Sequence, residues 1–579
     1  MPNRTTISLA AICVLLTAAA CVMAAAAEGR IVTLLIYLGG LGTGIAALWT
    51  SRPGEPSTTA QPRWIERGDL PLIGAVMLVQ LIGLIYMQTF PFHYVQDEFI
   101  TGHASYTLPS ISEVDWFAGY PAPGEWIAGF PILYYALQRP FIELFGLSLE
   151  TIRISTWPYH LLSAALVYLI GKEFFHCKPW AVVAAIGYIL LAPNLYMAGY
   201  GMHNISSTFF FLAAFFAAIR MLRDDSRGWM VVCGLASTMA YLTYTSSYLT
   251  LPLLGVFIAL TALFQRSWTP LIRFGQVLII VAIGLAPFLT HALSQHNYFT
   301  ERGDQVNAVS TFYDDESISN PTAELADHVW INIQSLYSPG IGGVTDYWFG
   351  HQSLFDWLTL SLLASGIAIG LYRGLRDRNP LEITAIGAVL ATFTFGMFLT
   401  LPAGGFHRTT LAFPLIALLI ALTIRTLIDG LPWMENRPRL QMTSAAIFLA
   451  TFILINVSTL HTMTQEDETI SGLTDSVPII SYVEDHVPSG EAIIISAFPN
   501  YHLERELIVR TGDSYDVRIK RFDEAIEEAG NTVIVLFQPP SDQTHRLEAR
   551  YSGGEFIESY DGRELRRHLI WAPESVANH

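Results

Sequence analysis

"LPLIGAVMLVQLIGLIYMQTFPFHYVQDEF", residues 70–99, carries no Asp, Glu, Lys or Arg until it ends on two adjacent acids, Asp97 and Glu98. About twenty helical residues cross the hydrocarbon core of a bilayer. The stretch therefore reads as a membrane span that delivers paired carboxylates to a water interface. The rest of the chain repeats the apolar half of this pattern. Of 579 residues, 52 % are hydrophobic and only 14 % charged, with mean hydropathy +0.40; soluble domains carry roughly 25 % charged residues. A polytopic α-helical membrane protein follows.

Thirteen apolar segments read as spans: 7–27, 31–49, 70–89, 154–171, 180–199, 205–222, 229–247, 249–265, 274–292, 353–372, 382–401, 409–428 and 441–461. Short loops on the cytoplasmic side collect Arg and Lys. With the N-terminus inside, the inside loops hold Arg63 and Arg67, Lys172 and Lys178, Arg220 and Arg223, Arg266 and Arg273, Arg373 and Arg376, and Arg437 and Arg439. The opposite loops are poor in both residues, so Asp97 and Glu98 are expected to face the periplasm or cell exterior. The first segment ends in "MAAAAEG" and is expected to remain as an uncleaved span rather than act as a signal peptide.

Three regions result: residues 1–69 with two spans and a cytoplasmic loop, a transmembrane domain over 70–461, and an exported tail over 462–579. Two outward loops are long, 90–153 and 293–352, and loops of that length are usually functional. The first contains "EWIAGFPILYYALQRPFIELFG", amphipathic stretches suited to helices lying at the membrane surface. In the tail, "EAIIISAF" (491–498) and "NTVIVLFQPP" (531–540) are β-branched runs bounded by turn residues, and "RFDEAIEEAG" (521–530) has helix composition. A small α/β domain is expected there. The tail holds 22 acidic and 10 basic side chains, a net −12 within a chain total of −17; nucleic acid is not an expected partner. All four cysteines lie in spans or an inside loop, so no disulfide framework is implied.

Asp97 and Glu98 stand among His93, Tyr94 and His103. A carboxylate at the mouth of a bundle can be a general base, a metal ligand or a solvated charge; a base needs partial desolvation beside the attacking hydroxyl. Beyond them the same loop carries Pro131, Leu133, Tyr134 and Tyr135 as "P-x-L-Y-Y", then "F-G-L-S", then "I-R-I-S" with Arg153 and Ser155. This order of elements, over about residues 70–430, resembles the GT-C superfamily of membrane glycosyltransferases. It is most similar to the protein O-mannosyltransferase and lipid A aminoarabinose transferase branch. "PAGGFHRTTLAFPLIALLIAL" (402–422) is similar to that branch's motif at the start of a late span.

The resemblance implies a GT-C bundle of about thirteen transmembrane helices in the cytoplasmic membrane. It implies inverting transfer of a sugar from a polyprenyl-phosphate donor to a glycan, lipid or protein acceptor, without cofactor. Asp97 matches the catalytic base, with Glu98 beside it. Arg408 suits the lipid phosphate, because a planar guanidinium grips phosphate oxygens bidentately; interfacial anchoring is the alternative. Arg153 and Arg302 are weaker phosphate candidates, Arg153 having Glu150 as an alternative partner. His103, His203, Asn204, Tyr244 and His407 are expected to line the substrate site. Two departures stand out. Where many relatives have a second outward acid this chain has His203 and Asn204, and where many have a Lys it reads "YLTYTSSYLT" (241–250). A metal site from His93, Asp97, Glu98 and His103 matches no fixed ligand spacing, and none is expected. A homologue without turnover, or an envelope-assembly or transport protein, is the alternative. A permeation path would need ionisable residues within spans, and here they cluster at interfaces.

Overall fold

The computed structural model describes residues 4–26, 30–50, 64–89, 96–110, 112–119, 127, 130–294, 306–315, 317–338, 352–401, 403–434, 437–471, 476–496, 501–528, 532–537, 541–551, 555–560 and 567–573. The first three helices are α1 (Arg4–Ala25), α2 (Ile31–Thr50) and α3 (Leu70–Thr89). The long segment before the next apolar helix folds as α4 (Gln96–Tyr106), α5 (Leu133–Phe145) and α6 (Leu149–Ile154). The bundle continues with α7 (Trp157–Phe175), α8 (Lys178–Leu190), α9 (Ala192–Met197), α10 (Asn204–Asp224), α11 (Arg227–Tyr241), α12 (Thr250–Gln265) and α13 (Thr269–Ser294). After α14 (Ala308–Asp314) and α15 (Pro321–Ser335) come α16 (Trp357–Arg376), α17 (Pro380–Phe393), α18 (Phe413–Asp429) and α19 (Pro438–Ser471).

Ten helices among the described residues are long and apolar enough to cross a membrane, against thirteen segments read from the sequence. The other three segments are helical but short, interrupted or less apolar. Segment 154–171 is α7. Segment 180–199 is broken at Leu191, which leaves the helical region (φ −63°, ψ 122°) between α8 and α9. The break sits in protein, and its backbone groups are satisfied as membrane depth demands. Asn456 on α19 accepts the freed N–H of Ala192 at 2.7 Å, and the Asn194 amide donates to the Tyr188 carbonyl at 2.9 Å. Segment 229–247 ends as a helix at Tyr241, and a 3₁₀ turn over Thr245–Leu249 leads into α12. That early stop turns Tyr244 toward the end of the bundle where Asp97 lies.

α18 is the axis of the bundle, buried from Phe413 to Ile424. It packs between α8 and α16, in one continuous apolar core with α7, α10 and α12. The arginine- and lysine-rich end is tied by ion pairs. Asp69, just ahead of α3, is fully buried and meets Lys172 at 2.7 Å, Lys178 at 3.0 Å and the Tyr168 hydroxyl at 2.9 Å. Burial pushes the Asp69 carboxyl up, but donors from Lys172, the Glu66 backbone, Lys178 and Tyr168 outweigh it and hold the group well below the usual carboxylate range. On the same end Glu173 accepts from Arg220 at 2.9 Å.

The tail adds α20 (Ser476–His486), α21 (Tyr501–Thr511), α22 (Phe522–Glu528) and α23 (Ser541–Arg550) around five strands. These are β1 (Ala492–Ser496), β2 (Asp516–Ile519), β3 (Val533–Phe537), β4 (Glu555–Tyr560) and β5 (Arg567–Ala572), in the order β2-β1-β3-β5-β4. β1 pairs parallel with β2 and β3, and β5 pairs antiparallel with β3 and β4. The period of two sends Ile493, Ile495, Val533 and Val535 to a core with α20 and α21. Ile494, Ile534 and Leu536 go to the other face, against α22 and α23.

Candidate active site

The paired acids sit in the first turn of α4. Consecutive residues on a helix diverge by about 100°, so the two carboxylates leave in different directions. Glu98 is fully buried. Its Oε1 accepts from Arg153 Nε at 3.0 Å and from the Gly201 backbone N–H at 2.7 Å, and its Oε2 accepts from Arg153 Nη2 at 2.9 Å. This is a bidentate, fully desolvated pair. The Arg153 guanidinium also lies over the Tyr200 ring, 5.8 Å from its centroid. The expected alternative partner, Glu150, is exposed; Arg153 is paired with Glu98 instead. Both oxygens of Glu98 and the Nε–Nη2 edge of Arg153 thus face each other in this pair.

The pair closes a small knot. Ile152 is wedged between two glycines: a Cβ at Gly102 would come within 2.0 Å of its Cδ1, and one at Gly201 within 2.4 Å of its Cγ2. Ser105 donates to Gln138 Oε1 at 2.6 Å, and Gln138 donates to Ser155 Oγ at 2.9 Å. Tyr134 donates to the Gly201 carbonyl at 3.2 Å. α4, α5, α6 and the 198–203 segment are thus locked together around buried polar contacts.

Asp97, half-buried, takes the other direction. Tyr244 and Asp97 lie within electrostatic reach of the largely buried Arg408 guanidinium. Arg408 lies in the 3₁₀ turn Phe406–Ala412 that opens α18, and its Nη1 donates to the Leu401 carbonyl at 2.8 Å. The neighbouring His407 carbonyl accepts from Asn204 at 2.7 Å, while Asn204 Oδ1 is buried without a hydrogen-bond partner. The His203 ring lies 4.4 Å from Tyr244 and 5.6 Å from Tyr134, centroid to centroid, and Phe130 stacks on Tyr244 at 6.1 Å. Asp97, Arg408, Tyr244, His203, Asn204 and His407 thus come from four separate stretches to one end of the bundle. His103, six residues beyond Asp97, leaves α4 about 240° round the helix from it. Arg302 and His93 lie outside the described residues. Among the described residues, no group of three or more His, Cys, Asp and Glu side chains is placed to hold a metal ion.

Gln138, Gly102 and Gly201 were missed in the sequence. Their one signal was the pair of glycines in "GYG" at 199–201, and only the fold brings it to the acidic pair.

Residues 130–291 match the family described as dolichyl-phosphate-mannose-protein mannosyltransferase. The backbone superposes on ArnT from Cupriavidus metallidurans bound to undecaprenyl phosphate with TM-score 0.55 and 14 % identity, covering 88 % of this chain and 98 % of that one. The fold is that of the GT-C glycosyltransferases. The apo form of the same ArnT gives TM-score 0.55 at 13 % identity with the same coverage. Among curated proteins, undecaprenyl phosphate-alpha-4-amino-4-deoxy-L-arabinose arabinosyl transferase 2 from Pseudomonas fluorescens is 29 % identical over 255 residues, 42 % of this chain. The match spans 40 % of that relative's length.

Proposed function

We propose that this chain is a membrane glycosyltransferase that moves a hexosyl- or pentosyl-type sugar from a polyprenyl-phosphate donor to a hydroxyl of an envelope glycan, lipid or protein. The observation that carries the reading is the gathering of Asp97, Arg408 and Tyr244 at one end of a bundle with the GT-C fold, both Asp97 and Tyr244 within electrostatic reach of the guanidinium. Transfer from a sugar phosphate needs a carboxylate to take the acceptor's proton and a cation to hold the departing phosphate. The matched relatives' names support the donor class: each refers to undecaprenyl or dolichyl phosphate.

In this mechanism Arg408 grips the lipid phosphate, with Tyr244 fixing the guanidinium. Asp97 takes the acceptor proton as the acceptor oxygen attacks the anomeric carbon from the face opposite the phosphate, inverting its configuration. The C1–O bond to phosphate breaks as the new C1–O bond forms, and the phosphate leaves as an anion against Arg408. His203, Asn204 and His407 line the sugar. The positive-inside pattern supports a multi-pass inner-membrane protein whose active site and tail face outward.

Purified protein is assayed with labelled mannosyl- and 4-amino-4-deoxy-arabinosyl-undecaprenyl phosphate and a cell-envelope extract. Asp97→Asn should lower kcat by about 10²–10⁴-fold while still binding undecaprenyl phosphate. Arg408→Ala should chiefly weaken that binding. Turnover by Asp97→Asn at the wild-type rate would overturn the base assignment; wild-type binding of the lipid without any transfer favours a homologue that holds lipid-linked glycan without turnover.

A further inference from the structure

The face of α4 opposite Asp97 is not bare. Phe99 and Tyr106 leave the helix about 200° and 180° round from Asp97, and the C-terminal domain occupies that side. Its helix α21 packs along α4. Val509, fully buried, joins Phe99, Leu149 and Ile152 in one apolar cluster. α21 then ends in a Schellman turn. Gly512 and Asp513 are both left-handed (φ +64° and +60°), and the Asp513 N–H donates to the Ile508 carbonyl at 2.9 Å. That turn brings the Asp513 carboxylate to the Tyr106 hydroxyl, which donates to it at 2.7 Å. It also brings Gly512 against the Leu147 carbonyl, 3.5 Å from where a Cβ would stand.

We infer that α21 is the back-plate of the catalytic helix: Val509 and the Tyr106–Asp513 hydrogen bond are positioning elements that hold Asp97 forward against Arg408 and Tyr244. The inference rests on reading Asp97 as the base. α4 is only eleven residues long, too short to be a stable helix on its own, so its placement is set by what presses on its sides. The Glu98–Arg153 pair fixes one side, and the C-terminal domain supports the back. The tail of this chain is then part of the catalytic apparatus, although it contributes no group to the reacting atoms. A displacement of about 1 Å at a reacting group can cost 10²-fold in rate, whereas Arg408, held by α18 and Leu401, does not depend on α21.

The test uses the full chain with the two labelled donors named above. Tyr106→Phe and Val509→Ala loosen the back-plate. Asp513→Gly removes the carboxylate without straining the left-handed backbone, and Asp513→Asn keeps an acceptor oxygen in a residue that tolerates that conformation. The expected result is a fall in kcat of tenfold or more for Val509→Ala and Asp513→Gly. Donor KM should stay within twofold, and Asp513→Asn should restore most of the rate. Asp97→Asn is run alongside. If it is inactive while the back-plate variants turn over at the wild-type rate, the positioning role is wrong and the base assignment survives. If Asp97→Asn is fully active, both fall. Should neither donor be used, amide hydrogen exchange decides. Val509→Ala and Asp513→Gly should accelerate exchange over residues 96–106 at least tenfold and leave undecaprenyl phosphate binding unchanged; unchanged exchange there overturns the proposal.

Discussion

Two adjacent acids have opposite fates because one residue step on a helix is about 100°. Asp97 and Glu98 were legible as a pair at a membrane mouth, but not as one carboxylate within reach of Arg408 and one bound to Arg153. The partners that separate them, Arg153 and Gly201, are 55 and 103 residues away. Nearness in sequence puts residues on the same helix, not on the same face. The division of labour has a measurable signature. Arg153→Leu leaves the Glu98 carboxylate buried without its cation and should cost about 3–5 kcal/mol of stability, read as a large drop in melting temperature in detergent. Asp97→Asn should leave the melting temperature nearly unchanged while lowering kcat by about 10²–10⁴-fold. Gly201→Ala should destabilise by about 1–3 kcal/mol, because its methyl has nowhere to go beside Ile152.

At the scale of elements, the apolar segments were readable because a bilayer enforces about twenty uncharged residues per crossing. The break at Leu191 was less so. Pro193 hints at it, but an interrupted helix at membrane depth is tolerable only if its backbone groups find partners. The partner of Ala192, Asn456, lies 264 residues further on. Asn456→Leu should therefore leave that N–H buried and unpaired, at a cost of about 1–3 kcal/mol. Thermal melts of the variant beside wild type check that cost. The strands of the tail were legible as short β-branched runs. Their order was not, since β5 enters between β3 and β4 only through long-range pairing.

At the scale of the whole molecule, charge is sorted to the two ends. One end carries the site. The other is tied through Asp69 and Glu173, whose lysine and arginine partners also supply the sidedness signal. Because Asp69 is held below its ordinary range, its contribution to stability is full above about pH 4 and is lost as pH falls from there toward its folded value. The stability gap between wild type and Asp69→Asn should accordingly be constant at neutral pH and narrow below about pH 4, as measured by melts across that range. The sequence displayed these charges but not their pairing, which depends on the ends of α3, α7 and α8 meeting. A last consequence concerns time rather than energy. Chains are made and inserted from the N-terminus, so the interrupted helix at Leu191 is synthesised long before α19 exists to receive the Ala192 amide. Until residue 456 has left the ribosome that break is an unfinished joint, closed only when a segment made 264 residues later arrives.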